Sequence, residues 1–227
     1  MTIRQLAGIA ALALALPAQA GSLDANEQRM VEWIDAHTED AIALLEETVN
    51  ITSGTMNHDG VRKVGAVMQR ELDAIGLETE WIELPPEMQR AGHVFARKTS
   101  GSSKKFVLIG HLDTVFEADD DFQAFQRDGD TATGPGVEDM KGGNVVIVYA
   151  LKALQEIGAL DDIPVVVAYT GEEEKSGIPL SISRKDLVEA GKWADIGLGF
   201  ESAMTFDGHD WGTIARRSSS EWMLTVE

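Results

Sequence analysis

Three apolar runs in this chain each stop at imidazole or carboxylate side chains. Phe106–Gly110 runs into His111 and Asp113, Val165–Gly171 into Glu172, Glu173 and Glu174, and Ala194–Phe200 into Glu201. Apolar segments of this length, bounded by glycine and charge, read as buried strands of a parallel sheet. Open α/β sheets gather their binding groups at the carboxyl ends of such strands. The pattern therefore predicts one histidine and several carboxylates on one sheet edge, which points to a metal site.

The rest of the chain fits an α/β fold, a mostly parallel sheet flanked by helices. Apolar residues recur at helical spacing from Ala25 to Val49, as one helix or two with a break near His37-Thr38. Asn57-His58-Asp59-Gly60 reads as a turn, with Asp59 placed to cap a helix over Val61–Ile75. Leu77–Leu84 alternates like a half-buried strand, and His93–Thr99 reads as a second. A helix from about Asn144 to Ile157 is apolar around most of its circumference, as a helix packed on a sheet would be. Leu187–Trp193 is the next expected helix, and Asp195–Phe200 the last core strand.

The first 20 residues are set apart. Arg4 precedes an apolar stretch, Leu6–Leu16, and Ala18-Gln19-Ala20 has a small-x-small cleavage pattern. This reads as a secretory signal with the mature chain starting at Gly21. The apolar part falls short of the ~20 residues that span a bilayer. A periplasmic location is the expectation. The absence of cysteine removes disulfides and thiolate ligands, so any metal must sit on His and carboxylate. A net charge of −19 makes nucleic acid and anionic membrane surfaces poor partners.

The chemistry-bearing residues are weak signals singly. His111 and Asp113 at i and i+2 share one side of an extended segment, yet a histidine there is more often simply hydrogen-bonded. Asp139 lies in GPGVEDMKGG, where glycines permit a tight turn, yet it could be a plain helix cap. Glu172–Glu174 pairs a metal ligand with a general base, or is a solvated acidic loop. Lys141 and Lys175 are the only cations nearby in sequence, too few to neutralise the set.

Together, His111-Leu112-Asp113-Thr114, GPGVEDMKGG, TGEEEKSG and Phe200-Glu201 resemble the M20 metallopeptidase family, in its glutamate carboxypeptidase branch. The resemblance covers roughly Ala25 to the C-terminus. It implies a zinc-exopeptidase-like fold and two Zn²⁺ ions, though other divalent ions could serve. Asp139 would bridge the two ions, with His111, Glu174 and Glu201 as further ligands. Asp113 would orient His111, and Glu173 would be the general base. A shifted register would make Glu172 the base and Glu173 the ligand. Ser176-Gly177 inverts the order common in this branch. The family's last His ligand has no match here, and His209 lies too close to Glu201 to take its place.

With the signal peptide (1–20) set apart, the resemblance divides the rest into an incomplete catalytic domain (21–212) and the start of a lid and dimerisation domain (213–227). That missing domain would make a homodimer. The implied reaction is hydrolysis of an amide bond beside a C-terminal amino acid in a small peptide. Deacylation of an N-acyl amino acid is the alternative within the family, and a non-catalytic periplasmic binding module the alternative outside it. Arg216 and Arg217 could attract a substrate carboxylate, or simply lie on the surface.

Overall fold

The computed structural model describes residues 23–202, 204–214 and 225. The expected signal segment, Arg216, Arg217 and most of the expected start of a lid domain (213–227) lie outside the described residues. No helix among the described residues is long and apolar enough to cross a membrane.

Two helices open the chain, α1 (Ala25–Ala36) and α2 (Thr38–Val49), with the break at His37. Asp24 caps α1 by accepting from the N–H of Asn26 and Glu27, and Glu27 returns a bond to the Asp24 N–H. Helix α3 (His58–Ala74) buries Val61, Val64, Met68 and Leu72, a single face. Its cap is Asn57, whose Oδ1 accepts from Gly60 N at 3.2 Å. Asp59, expected as the cap, already lies inside the helix, which starts at His58 rather than at Val61.

A five-stranded sheet follows: β1 (Glu78–Ile82), β2 (His93–Lys98), β3 (Phe106–His111), β6 (Val165–Thr170) and β7 (Ile196–Gly199), in the order β1-β2-β6-β3-β7. A separate hairpin, β4 (Gln126–Asp128) and β5 (Thr131–Thr133), intervenes in the chain. Strands β3, β6 and β7 are parallel, and β2 is antiparallel to both β1 and β6, so four of the five strands share one direction.

The alternation of strand side chains divides the core into two layers. Val94, Ala96, Leu108, Val165, Val167 and Tyr169 face α3 and α4 (Gly143–Glu156). Phe95, Val107, Val166 and Ala168 face the other way, toward α6 (Lys185–Trp193), which follows the short α5 (Leu180–Ser183). With both faces covered, all six residues of β6 are buried.

Strand β7 departs from expectation. It is an edge, not a core strand: it pairs with β3 alone among the described residues, and Leu198 is 42% exposed. A second small hairpin, β8 (Met204–Phe206) and β9 (His209–Trp211), follows it. His209 stands on that hairpin, exposed.

Candidate metal centre

The parallel register of β3 and β6 aligns His111 with Thr170, so both strands end at one level. The loops beyond those ends carry the expected residues. His111 is 1% exposed. Its Nδ1 lies 2.9 Å from the Asp113 carbonyl oxygen and 3.4 Å from Asp113 Oδ1, and its Nε2 lies 2.9 Å from Asp139 Oδ1. Asn144, at the start of α4, donates to the His111 carbonyl at 2.6 Å and fixes the strand end.

Asp139 sits in the turn Val137–Gly142, with non-helical backbone at φ −116°, ψ 98°. The Asp139–Met140 peptide bond is cis. Gly136, at φ 76°, begins this turn, and a Cβ there would meet the Thr114 side chain at 2.7 Å. Lys141 is fully buried and donates to the Ile51 carbonyl at 2.9 Å. Burial pulls its ammonium down to about 7.

Asp113 is a fully buried carboxylate with several partners. Thr55 Oγ1 donates to Oδ2 at 2.6 Å, Glu173 N to Oδ1 at 3.0 Å, and Glu174 N to Oδ2 at 3.1 Å. Burial alone would raise its pKa, but hydrogen bonds from His111, Thr55 and the Glu173 N–H outweigh it and hold the group ionised. Asp113 thus ties the His111 strand end to the loop bearing Glu173 and Glu174.

The three adjacent glutamates separate. Glu172 turns inward, fully buried, where its carboxylate pairs with Arg184 and accepts from the Gly177 N–H. Glu173 and Glu174 face the other acids. Desolvation raises the Glu173 pKa, and although His111 opposes this, repulsion from Glu201, Asp113 and Asp139 adds to it. Glu174 is pushed up to about 7 by desolvation and then by Asp139. For His111, burial works against the imidazolium, but bonding to Asp113 and Asp139 prevails and lifts it to about 9.

One ligand atom each from His111, Asp139 and Glu201 lies within 4.8 Å of the others. Donor atoms held at ~2.0–2.1 Å around one tetrahedral ion sit about 3.3 Å apart, so this spacing is of the right scale. Imidazole with two carboxylates suits zinc and related divalent ions. Glu174 stands outside that triad, its N–H anchored on Asp113 and its carboxylate pushed by Asp139. Neither lysine neutralises the site: Lys141 bonds a carbonyl, and Lys175 pairs with Glu117 at 2.6 Å. The sequence reading missed Arg184, Thr55 and Asn144, which carry no local motif.

An α/β catalytic scaffold with a His-carboxylate cluster at its strand ends is the class of protein this geometry defines, and the comparisons agree. The model of peptidase family M20/M25/M40 matches residues 107–214. Carboxypeptidase G2 of Pseudomonas sp. (strain RS-16) is 34% identical over 173 residues, covering 73% of this chain and 39% of that protein. Among solved structures, human carnosine dipeptidase 1 superposes with a TM-score of 0.63 at 21% identity, over 76% of this chain and 40% of that one. An M20 family metallo-carboxypeptidase from Sulfolobus solfataricus gives 0.56 at 19% identity, over 70% and 37%. Residues 107–214 of the chain thus match the M20 peptidase family, and the chain spans about two-fifths of the length of these relatives.

Proposed function

We propose that this protein is a zinc-dependent hydrolase that cleaves the amide bond next to a C-terminal amino acid. The observation that carries this reading is the triad of His111, Asp139 and Glu201 donor atoms within 4.8 Å, beside Glu173 and Glu174, with Lys141 and Lys175 engaged elsewhere. Desolvation at Glu173 and Glu174 and repulsion among the neighbouring acids are costly without a cation. The 34% identity to a carboxypeptidase supports the choice of substrate.

His111, Asp139, Glu174 and Glu201 would hold two zinc ions. When bound, zinc supplies Lewis acidity at the scissile carbonyl. Asp113 keeps Nδ1 of His111 engaged, which leaves Nε2 directed at Asp139 and the cluster. Glu173 is the general base. Its raised pKa, set by desolvation and neighbouring acids, suits it to take a proton from the attacking water and return it to the departing amine nitrogen. Because Glu172 is committed to Arg184, the register with Glu173 as base is favoured over the one that uses Glu172.

The test is Glu173→Gln in the intact protein. Turnover of C-terminally glutamylated peptides should fall by ~10²–10⁴-fold while zinc content by mass spectrometry is unchanged. Normal turnover in this variant would remove Glu173 from the role. Zinc-dependent cleavage of N-acyl amino acids alone would redirect the substrate assignment to a deacylase. Zinc binding without any hydrolysis would leave a binding module.

A further inference from the structure

We propose that Thr55 is a positioning residue of this hydrolytic site, acting through Asp113; the proposal rests on the metallopeptidase reading above. Thr55 lies 58 residues before Asp113 and outside the stretch matched by the family model. Its hydroxyl donates to Asp113 Oδ2 at 2.6 Å, a short bond to a charged acceptor. Both residues are fully buried, so water cannot readily take the place of a lost donor.

The segment around Thr55 is itself held to the site. The Ile51 carbonyl accepts from Lys141 Nζ at 2.9 Å, and the Ser53 carbonyl accepts from Thr114 N at 2.9 Å. Gly54 forms a parallel bridge with Thr114. Thr55 therefore projects from a fixed backbone, and its hydroxyl sets the orientation of the Asp113 carboxylate.

That orientation serves two functions at once. Asp113 Oδ1 faces His111 Nδ1 at 3.4 Å and accepts from the Glu173 N–H at 3.0 Å. If the Thr55 bond is lost, Oδ2 keeps only the longer bond from the Glu174 N–H at 3.1 Å, and the carboxylate that anchors both the imidazole and the base-bearing loop is held less firmly. Metal affinity and the chemical step should then fall together.

The experiment compares Thr55→Val, Thr55→Ser and Thr55→Ala in the intact zinc-loaded protein. Zinc affinity is read by chelator competition, kcat and KM with a C-terminally glutamylated peptide, and folding by thermal melting. Thr55→Val is expected to weaken zinc affinity and lower kcat by ~10–100-fold each, as loss of a group that orients a ligand does, with KM little changed. Thr55→Ser should restore both nearly to the starting values. Should Thr55→Val fail to fold, Thr55→Ser against Thr55→Ala isolates the one oxygen atom. Combined with Asp113→Asn, the Thr55 effect should largely vanish, because the two residues act as one unit.

Unchanged zinc affinity and kcat in a folded Thr55→Val, equal impairment of Thr55→Ser and Thr55→Ala, or additivity with Asp113→Asn would each overturn the proposal. An unsubstituted protein that neither binds zinc nor hydrolyses peptide would overturn the metallopeptidase reading and this proposal with it. A zinc-loaded, active protein indifferent to Thr55→Val would overturn this proposal alone.

Discussion

Two polar regions flank the loop that follows β6, and they are built in opposite ways. On the inner side, Glu172 meets Arg184 and the Gly177 N–H, His93 Nε2 faces the Ser183 carbonyl at 2.9 Å, and Arg184 donates to Ser176 Oγ at 2.8 Å. Charge is matched by charge there. On the outer side, Asp139, Glu173, Glu174 and Glu201 gather around one imidazole, and the nearby lysines point elsewhere. On the function proposed above, the contrast separates an acid that holds the loop through an arginine from acids left for a divalent cation.

The sharpest way to break this comparison is to remove the inner cation. Arg184→Met would strand a fully buried carboxylate, and unfolding by urea should show a loss of ~3–5 kcal/mol. Glu173→Gln, on the outer side, should leave stability within ~0.5 kcal/mol while abolishing turnover. A small effect of Arg184→Met would mean that the two regions are not distinct in kind.

The second test is metal linkage and its pH dependence. At a free zinc concentration ~100 times the dissociation constant, unfolding should cost ~2.7 kcal/mol more than in chelator. The metal-free protein should also lose stability as pH rises. The folded-state pKa of Glu174 is raised from 4.5 to about 7, and that of His111 from 6.5 to about 9. The folded protein therefore holds protons that the unfolded chain releases, first between about 4.5 and 7 and then between 6.5 and 9. Zinc replaces those protons, so the decline should flatten in the loaded protein. Denaturation curves at pH 5, 7 and 9, with and without zinc, decide this. Above pH 7 the depressed Lys141 works in the opposite sense, so the decisive window is the lower one, and a metal-free protein more stable at pH 7 than at pH 5 would contradict the assignment.

The smallest effect calibrates the largest. Arg62 and Glu83 form an ion pair with side chains 42% and 62% exposed. Arg62→Met should cost no more than ~1 kcal/mol in the same urea experiment. A cost equal to that of Arg184→Met would show that burial is not what distinguishes the inner pair.

Much of the scaffold was legible because its signals are local. The break at His37, the bounds of α4 and the apolar content of β3 and β6 follow from spacing within each segment. Asp59 has the right chemistry for a cap, but Asn57 comes first and its side chain reaches Gly60 N. Ala194–Phe200 resembled the other buried runs, but burial depends on neighbours, and β7 has a strand on one side only among the described residues.

The sequence by itself pointed to His111, Asp113, Glu172–Glu174 and Glu201 at the ends of apolar runs, and to Asp139 in a glycine-rich loop. Strand length, apolar runs and the acids that end them are properties of consecutive residues. Only the tertiary structure decided which glutamate of three is withdrawn from the site, because that depends on Arg184, 12 residues further on. It alone also brought the Thr55 hydroxyl to Asp113 across 58 residues. Such contacts are fixed by how separate elements pack, and no pattern within either segment records them.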